Sequence, residues 1–360
     1  MLDLSFWKGK RVLLTGHTGF KGSWLLLWLL ELGSEVAGYS LPAAPAPNLF
    51  RQLYGSLGNR FVHLEADLAD RIALTELANR FQPDVVLHLA AQPLVRISYE
   101  DPLGTWKTNL LGSLHLLEAL KSITHPCAVV MVTTDKVYSN KEWVYGYRET
   151  DQLGGHDPYS ASKAATEIAV ASWQSSFCGE APHQTPHLQV ATARAGNVIG
   201  GGDWALDRIV PDAMRSLQLK QSIAVRSPKS TRPWQHVLEP LGGYLLLAER
   251  LFTASLHPCE AFNFGPFVSS NRTVSELVTT MLAHWPGEWH TVQQANAVHE
   301  ASLLNLHTDK AYTQLGWAPC WGFQETVERT VNWYRDVASG SDPYQRSLLD
   351  LQAYQSDIRS

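Results

Sequence analysis

An α/β chain with a doubly wound parallel sheet and a smaller C-terminal lobe is predicted by three features of the sequence. Short aliphatic runs alternate with longer helical patterns through the first half, a glycine-rich turn follows the first run, and the alternation fades after Asn197. The first strand is expected at residues 11–15 and its helix at 21–32. Within that helix the apolar run from Trp24 to Leu30 is stopped by Glu31, far short of the roughly 18 residues of a membrane span, so it reads as a buried helix. Further strands are expected at 35–39, 61–65, 85–89, 128–133 and 188–193, with helices at 71–81, 104–121 and 160–177 between them. Residues 41–48, rich in Pro and Ala, form a surface loop. Gly200, Gly201, Gly202 and Asp203 open the second part as a loop, so residues 1–196 form the sheet domain. Residues 197–360 form mainly the smaller lobe over the carboxyl edge of the sheet, and the chain is free to cross back to the sheet.

Composition narrows the function classes. The 360 residues are 45% hydrophobic, enough for a full core in one large domain or two smaller ones. The net charge of -5 is mild and Lys and Arg are scattered, so no nucleic-acid footprint is present and an anionic ligand needs a local site. The opening MLDLSFWKGK lacks a signal-peptide pattern, which leads to the expectation of a cytoplasmic protein with no membrane partner. Cys127, Cys178, Cys259 and Cys320 form no CxxC pair and read as reduced packing residues. No HExxH pattern or paired-histidine cluster occurs, and no metal site is expected.

The turn after the first strand reads Gly16-His17-Thr18-Gly19-Phe20-Lys21-Gly22 and runs straight into a helix. GxxGxxG in this strand–turn–helix context is the Rossmann-type arrangement. Its glycines permit a tight turn and close approach to a pyrophosphate, and the helix N-terminus offers N–H groups to the phosphates. A carboxylate for a ribose 2'-hydroxyl is missing from the second-strand end, Gly38-Tyr39-Ser40, and no arginine follows to favour a 2'-phosphate. Asp67-Leu68 is placed to meet the adenine, or Asp67 caps the next helix instead. Leu89, Ala90 and Ala91 offer small groups beside the cofactor.

Tyr159-Ser160-Ala161-Ser162-Lys163 places a tyrosine and a lysine one helical turn apart on one face. An ammonium and a nicotinamide cation beside the phenol favour the phenolate, making Tyr159 a base for a hydroxyl proton. With the glycine motif upstream, these residues resemble the extended short-chain dehydrogenase/reductase superfamily over residues 8–340. The strand end Val132-Thr133-Thr134-Asp135-Lys136-Val137-Tyr138 resembles the nucleotide-sugar 4,6-dehydratases. Phe6 to Lys10, Gly16 to Trp24, Ala90 to Arg96, Gly146 to Glu149, Asp157 to Ser160 and Arg232 to Leu238 are similar to the CDP-glucose branch.

That resemblance implies NAD as cofactor, CDP-glucose as substrate, a role in deoxysugar biosynthesis, and a homo-oligomer, dimer or tetramer, paired through helices 104–121 and 160–177. It implies oxidation at C4, loss of water across C5 and C6, and hydride return to C6. Thr134 then polarises the C4 oxygen, Asp135 protonates the departing hydroxyl, and Lys136 stands where related enzymes carry a glutamate base. A lysine base requires a lowered pKa or a bridging water. A plain strand-end ion pair between Asp135 and Lys136 is the alternative. The resemblance adds Thr108 and Thr133, with Tyr159 and Lys163, to the cofactor residues. For the substrate it implies Arg208 and Arg232 on the phosphates, Asn197 as amide partner, and Gln92, Arg96 and Trp234 nearby. Solvated surface arginines are the competing reading, and Trp143 either reaches the sugar or packs. A 4-epimerase or reductase on the same scaffold would keep Tyr159 and Lys163 without needing Asp135 and Lys136. A non-catalytic NAD-binding regulator would need neither pair.

Overall fold

In β1 (Arg11–Thr15) side chains leave alternately on two faces: Val12 and Leu14 enter one buried cluster and Leu13 the other. The same division continues through β2 (Glu35–Ser40), β4 (Val85–His88), β5 (Cys127–Val132) and β6 (Leu188–Ala195), while the edge strand β3 (Val62–Glu65) only rests Leu64 on the second cluster. A seventh strand, β7 (Ala261–Phe264), pairs with β6, giving a parallel sheet in the order 7-6-5-4-1-2-3. The computed structural model describes residues 2–179, 185, 187–253, 260–292 and 303–359; Cys259 lies outside them. Cys127 and Cys320 are free thiols.

The helices cover both faces, as a parallel sheet requires. One face carries α1 (Phe20–Glu31), which is apolar all round. It is buried from Gly22 to Leu30 because the sheet, α2 (Leu49–Leu57) and a later helix enclose it. The other face carries α3 (Arg71–Phe81) and the segment between β4 and β5. That segment, expected as one helix over 104–121, is broken. After α4 (Val95–Glu100), α5 (Pro102–Trp106) starts on the Asp101 cap, a π-helical turn spans Lys107–Leu111, α6 (Gly112–Ala119) follows, and a 3-10 turn closes at Leu120–Ser122. The π turn swings Asn109 inward, where its Nδ2 donates to Ser162 Oγ at 2.9 Å and its Oδ1 accepts from the Gln92 N–H at 2.8 Å. This ties the loop after β4 to α7 (Pro158–Phe177).

The chain then forms α8 (Ile209–Gln218), returns to the first face as α9 (Leu238–Phe252) and enters the sheet as β7. Three small strand pairs, 198–199 with 235–236, 231–233 with 271–273 and 223–225 with 289–291, build the lobe beyond the carboxyl ends of the strands. Helices α10 (Val274–His284), α11 (Phe323–Ala338) and α12 (Pro343–Asp357) finish it. Among the described residues no helix is long and apolar enough to cross a membrane.

Candidate active site

The glycine turn is shaped by close contacts. Gly16 has φ +79°, and a Cβ there would lie 2.7 Å from Ala90 N; a Cβ at Gly22 would lie 2.0 Å from the Gly16 carbonyl oxygen. Helix α1 starts at Gly19 with no side-chain cap, so its first N–H groups face the cleft as an anion cradle. His17, by contrast, turns its ring away, into Phe50, Phe61 and His63, with Nε2 2.7 Å from His63 Nδ1. Burial pushes its pKa down to about 3, so the ring is neutral. Only the backbone of His17 is left for a phosphate. The Thr18 hydroxyl pairs with Ser40 Oγ at 2.7 Å and closes the second-strand end. Asp67 Oδ1 accepts from Ala69 N at 2.9 Å, whereas the cap of α3 is Asp70. Leu68 is buried against Gly112, Leu89 and Ala90 lie over Gly16, and Thr108 sits in the π turn.

Asp157 caps α7 by accepting from Ser160 N at 2.9 Å, which sets Tyr159 in the first turn and Lys163 one turn on. Lys163 Nζ donates to the Val132 carbonyl at 3.0 Å; burial lowers its pKa to about 8, with Glu167 opposing. Tyr159 is hydrogen-bonded to Thr134, yet burial pushes the phenol up to about 12. The lowered phenol was expected from the lysine and a nicotinamide cation together; of the protein's own groups Thr134 and Arg208 favour ionisation, and burial outweighs them. Asp135 is buried, accepts from Thr134 Oγ1 at 3.0 Å, and is raised by burial against the charges of Lys136, Lys21 and Arg232. A carboxyl that resists ionisation is what proton donation requires. Gly196 makes the room: a Cβ there would meet Asp135 Oδ2 at 2.8 Å.

The lobe brings its arginines to this point. Arg208 pairs with Asp203 at 2.9 Å and its charge favours the ionised Tyr159, while Arg232 donates to the Thr231 carbonyl at 2.9 Å and acts on Asp135. Lys136 and Asn197 are half-buried at adjacent strand ends. Arg96 lies farther out, paired with Asp207 at 3.0 Å. Two residues turn inward: Trp234 is buried with Nε1 donating to the Arg272 carbonyl at 3.0 Å, and the Gln92 amide is taken up by Thr105 and Leu94. Trp143 stacks on Tyr147 at 5.3 Å. Ala91 is half-buried after β4, and Thr133 donates to Glu167.

Three contacts around the site were not expected. Glu167 forms a buried ion pair with Arg194 at 2.9 Å beneath α7, and Arg194 donates to Tyr138. Asn109 holds Ser162, as above. Lys21 Nζ reaches Tyr244 on α9 at 3.5 Å. Glu167 stands four residues after Lys163, and Arg194 puts the one charge into an otherwise uncharged strand; both are signals in the sequence.

A tyrosine and a lysine one turn apart, beside an anion cradle at the carboxyl edge of a parallel sheet, place the molecule among Rossmann-fold enzymes of the short-chain dehydrogenase/reductase type. The chain belongs to the GDP-mannose 4,6 dehydratase family, whose family model matches residues 13–330. A CDP-glucose 4,6-dehydratase of Salmonella typhimurium is 45% identical over 358 residues, 99% of both chains. The fold is similar to that of a dTDP-glucose 4,6-dehydratase from Bacillus anthracis in complex with NAD, with TM-score 0.77 and 19% identity over 93% of this chain and 100% of that one. It is equally close, at TM-score 0.77 and 22% identity over 91% and 99%, to a UDP-glucose 4-epimerase from Thermotoga maritima.

Proposed function

We propose that this chain binds NAD and converts CDP-glucose to CDP-4-dehydro-6-deoxy-D-glucose. The observation that carries the reading is Asp135, a buried carboxyl whose pKa burial raises, joined to Thr134 beside Tyr159. An epimerase or a simple dehydrogenase has no step that uses such an acid. The residues fit the cofactor at the cradle of Gly16, Gly19 and Gly22, where added Cβ atoms at Gly16 and Gly22 would clash. When bound there, NAD accepts the C4 hydrogen as hydride and later returns it to C6. Tyr159 takes the C4 hydroxyl proton, helped by Thr134 and Lys163. Asp135 gives its proton to the C6 hydroxyl, which leaves as water, and Lys136 takes the C5 proton. Arg208 and Arg232 hold the pyrophosphate of the nucleotide, with Asn197 beside them. Residues 1–196 bind mainly the cofactor and 197–360 mainly the nucleotide sugar, in the cytoplasm. Pairing of two copies through residues 104–121 and 160–177 is supported by exposed Leu111 and Ile168.

Single-turnover mixing of the NAD-loaded protein with CDP-glucose tests the assignment. In Asp135→Asn, NADH absorbance should rise and then persist, because elimination slows by roughly 10²- to 10⁴-fold while oxidation continues. Turnover at the wild-type rate without accumulated NADH would remove Asp135 from the acid role. Parallel incubations with UDP-, GDP- and dTDP-glucose test the base.

A further inference from the structure

Glu167 of α7 and Arg194 of β6 pair at 2.9 Å, with side chains 3% and 4% exposed. Each also holds one end of the turn that carries Thr134, Asp135 and Lys136. At the near end Thr133 Oγ1 donates to Glu167 Oε1, and the Thr133 N–H donates to the Ala193 carbonyl at 2.8 Å. At the far end Arg194 Nη1 donates to Tyr138 Oη at 2.8 Å and to the Glu149 carbonyl at 3.1 Å. Tyr138 is buried; its hydroxyl donates in turn to Asn263 Oδ1 on β7 at 2.7 Å, and its ring stacks on Tyr147 at 5.0 Å. Thr192 Oγ1 also donates to Glu167, at 2.7 Å, from β6.

Replacing a buried ion pair by packed apolar groups is often neutral or stabilising, so stability alone does not account for this one. What it does here is tie both ends of one short turn to a single point between α7 and β6. Arginine suits that task, because its planar fork reaches Glu167 with one terminal nitrogen and Tyr138 with the other, which a lysine cannot do. Tyr159 and Lys163 are placed by other contacts, the Asp157 cap and the Val132 carbonyl. Thr134 adjoins the Thr133 anchor, whereas Asp135 and Lys136 lead on toward Tyr138. We propose that Arg194, seated on Glu167, is a positioning residue for the elimination step: through Tyr138 it fixes the downstream end of the turn and so aims Asp135 and Lys136 at the sugar.

The proposal rests on the dehydratase reading and is tested with Arg194→Lys, Tyr138→Phe and Thr192→Val, each loaded with NAD and mixed with CDP-glucose. Arg194→Lys keeps a cation on Glu167, and with it the Thr133 anchor, but frees the Tyr138 end. NADH should appear in it at the wild-type rate and decay roughly 10²-fold more slowly, the effect of a displaced reacting group. Tyr138→Phe keeps the ring and loses the hydroxyl, and should show the same defect in weaker form. Thr192→Val removes a hydrogen bond from Glu167 and leaves both anchors, so it should lower the urea midpoint without changing NADH decay. Hydrogen exchange of the amides at 134–138 needs no substrate; it should quicken in Arg194→Lys and Tyr138→Phe and stay as in the wild type in Thr192→Val. Unchanged exchange in Arg194→Lys would overturn the proposal, as would a slowed NADH decay in Thr192→Val, which would make the effect one of stability. Asp135→Asn run alongside separates the proposal from the reading beneath it. NADH that persists in Asp135→Asn but decays at the wild-type rate in Arg194→Lys overturns the positioning role alone, whereas NADH that fails to persist in Asp135→Asn overturns both.

Discussion

A carboxylic acid that must keep its proton at neutral pH has to sit where its anion is poorly solvated. Asp135 does so at the end of β5, under Gly196. Tyr159 meets the opposite demand from the same surroundings, since burial pushes the phenol up to about 12 and disfavours the base. Its work therefore depends on cations close by, with Arg208 already favouring the ionised form. Tyr159→Phe should abolish C4 oxidation while NAD still binds, as read by NAD fluorescence titration alongside NADH formation; substantial turnover would take the base role from Tyr159. Arg232→Ala should raise KM for CDP-glucose far more than it lowers kcat, since a phosphate contact is made equally in ground and transition states. Thr134, Asp135, Tyr159 and Lys163 were legible in the sequence because each pair is adjacent in one strand end or one helical turn. Lys21 and Tyr244 stand 223 positions apart, and only the packing of α1 against α9 joins them. For Gln92 and Trp234 the resemblance supplied the place and not the direction of the side chain, which in both is inward.

Among the elements, the six strands of the first half lie within a residue or two of their expected bounds, because aliphatic runs between turn residues have few other solutions. The helix α2 was not named, although Asn48 caps it and Leu49, Phe50, Leu53 and Leu57 form its buried face. Strand β7 is four residues long and follows a helix-rich stretch, so nothing local distinguishes it. The break at Lys107–Leu111 arises from the tertiary bonds of Asn109, which periodicity does not register. The β1–α1 turn, by contrast, was legible because backbone contact dictates its residues. Gly22→Ala forces a methyl against the Gly16 carbonyl and should cost about 1–3 kcal/mol, with a loss of NAD affinity. Gly55→Ala, in the exposed middle of α2 where a Cβ meets nothing within 4 Å, should instead stabilise by about 0.5–1 kcal/mol. Urea unfolding and NAD titration of both variants check the contrast; equal behaviour would mean that the turn relaxes.

The whole molecule is closed by its C-terminal helices, and one buried carboxylate sits at the junction. Glu239, in the first turn of α9, accepts from the N–H groups of Cys320 and Trp321 and from Tyr354 Oη on α12. Burial pushes its pKa up to about 7, against an ordinary 4.5. The folded state therefore binds more protons than the unfolded state between those values, and the stability from this group is complete below pH 4.5 and lost as pH rises to 7. Over that window the loss is roughly 3 kcal/mol. Asp135, Glu149 and Asp350, also raised by burial, act in the same direction. The buried neutral rings of His17, His88 and His236, lowered to about 3, act oppositely and lose their contribution as pH falls below 6.5. The pH profile of the wild type is thus a sum of opposed terms, and a difference between two proteins isolates one of them. Glu239→Gln keeps an acceptor for one backbone N–H and removes the ionisation. Its unfolding free energy should rise steadily relative to that of the wild type from about pH 5 to pH 7 and level off above, measured by urea unfolding at each pH. A difference that stays constant from pH 5 to 8 would mean that Glu239 ionises as an ordinary carboxylate and that the α9–α12 junction holds a charge.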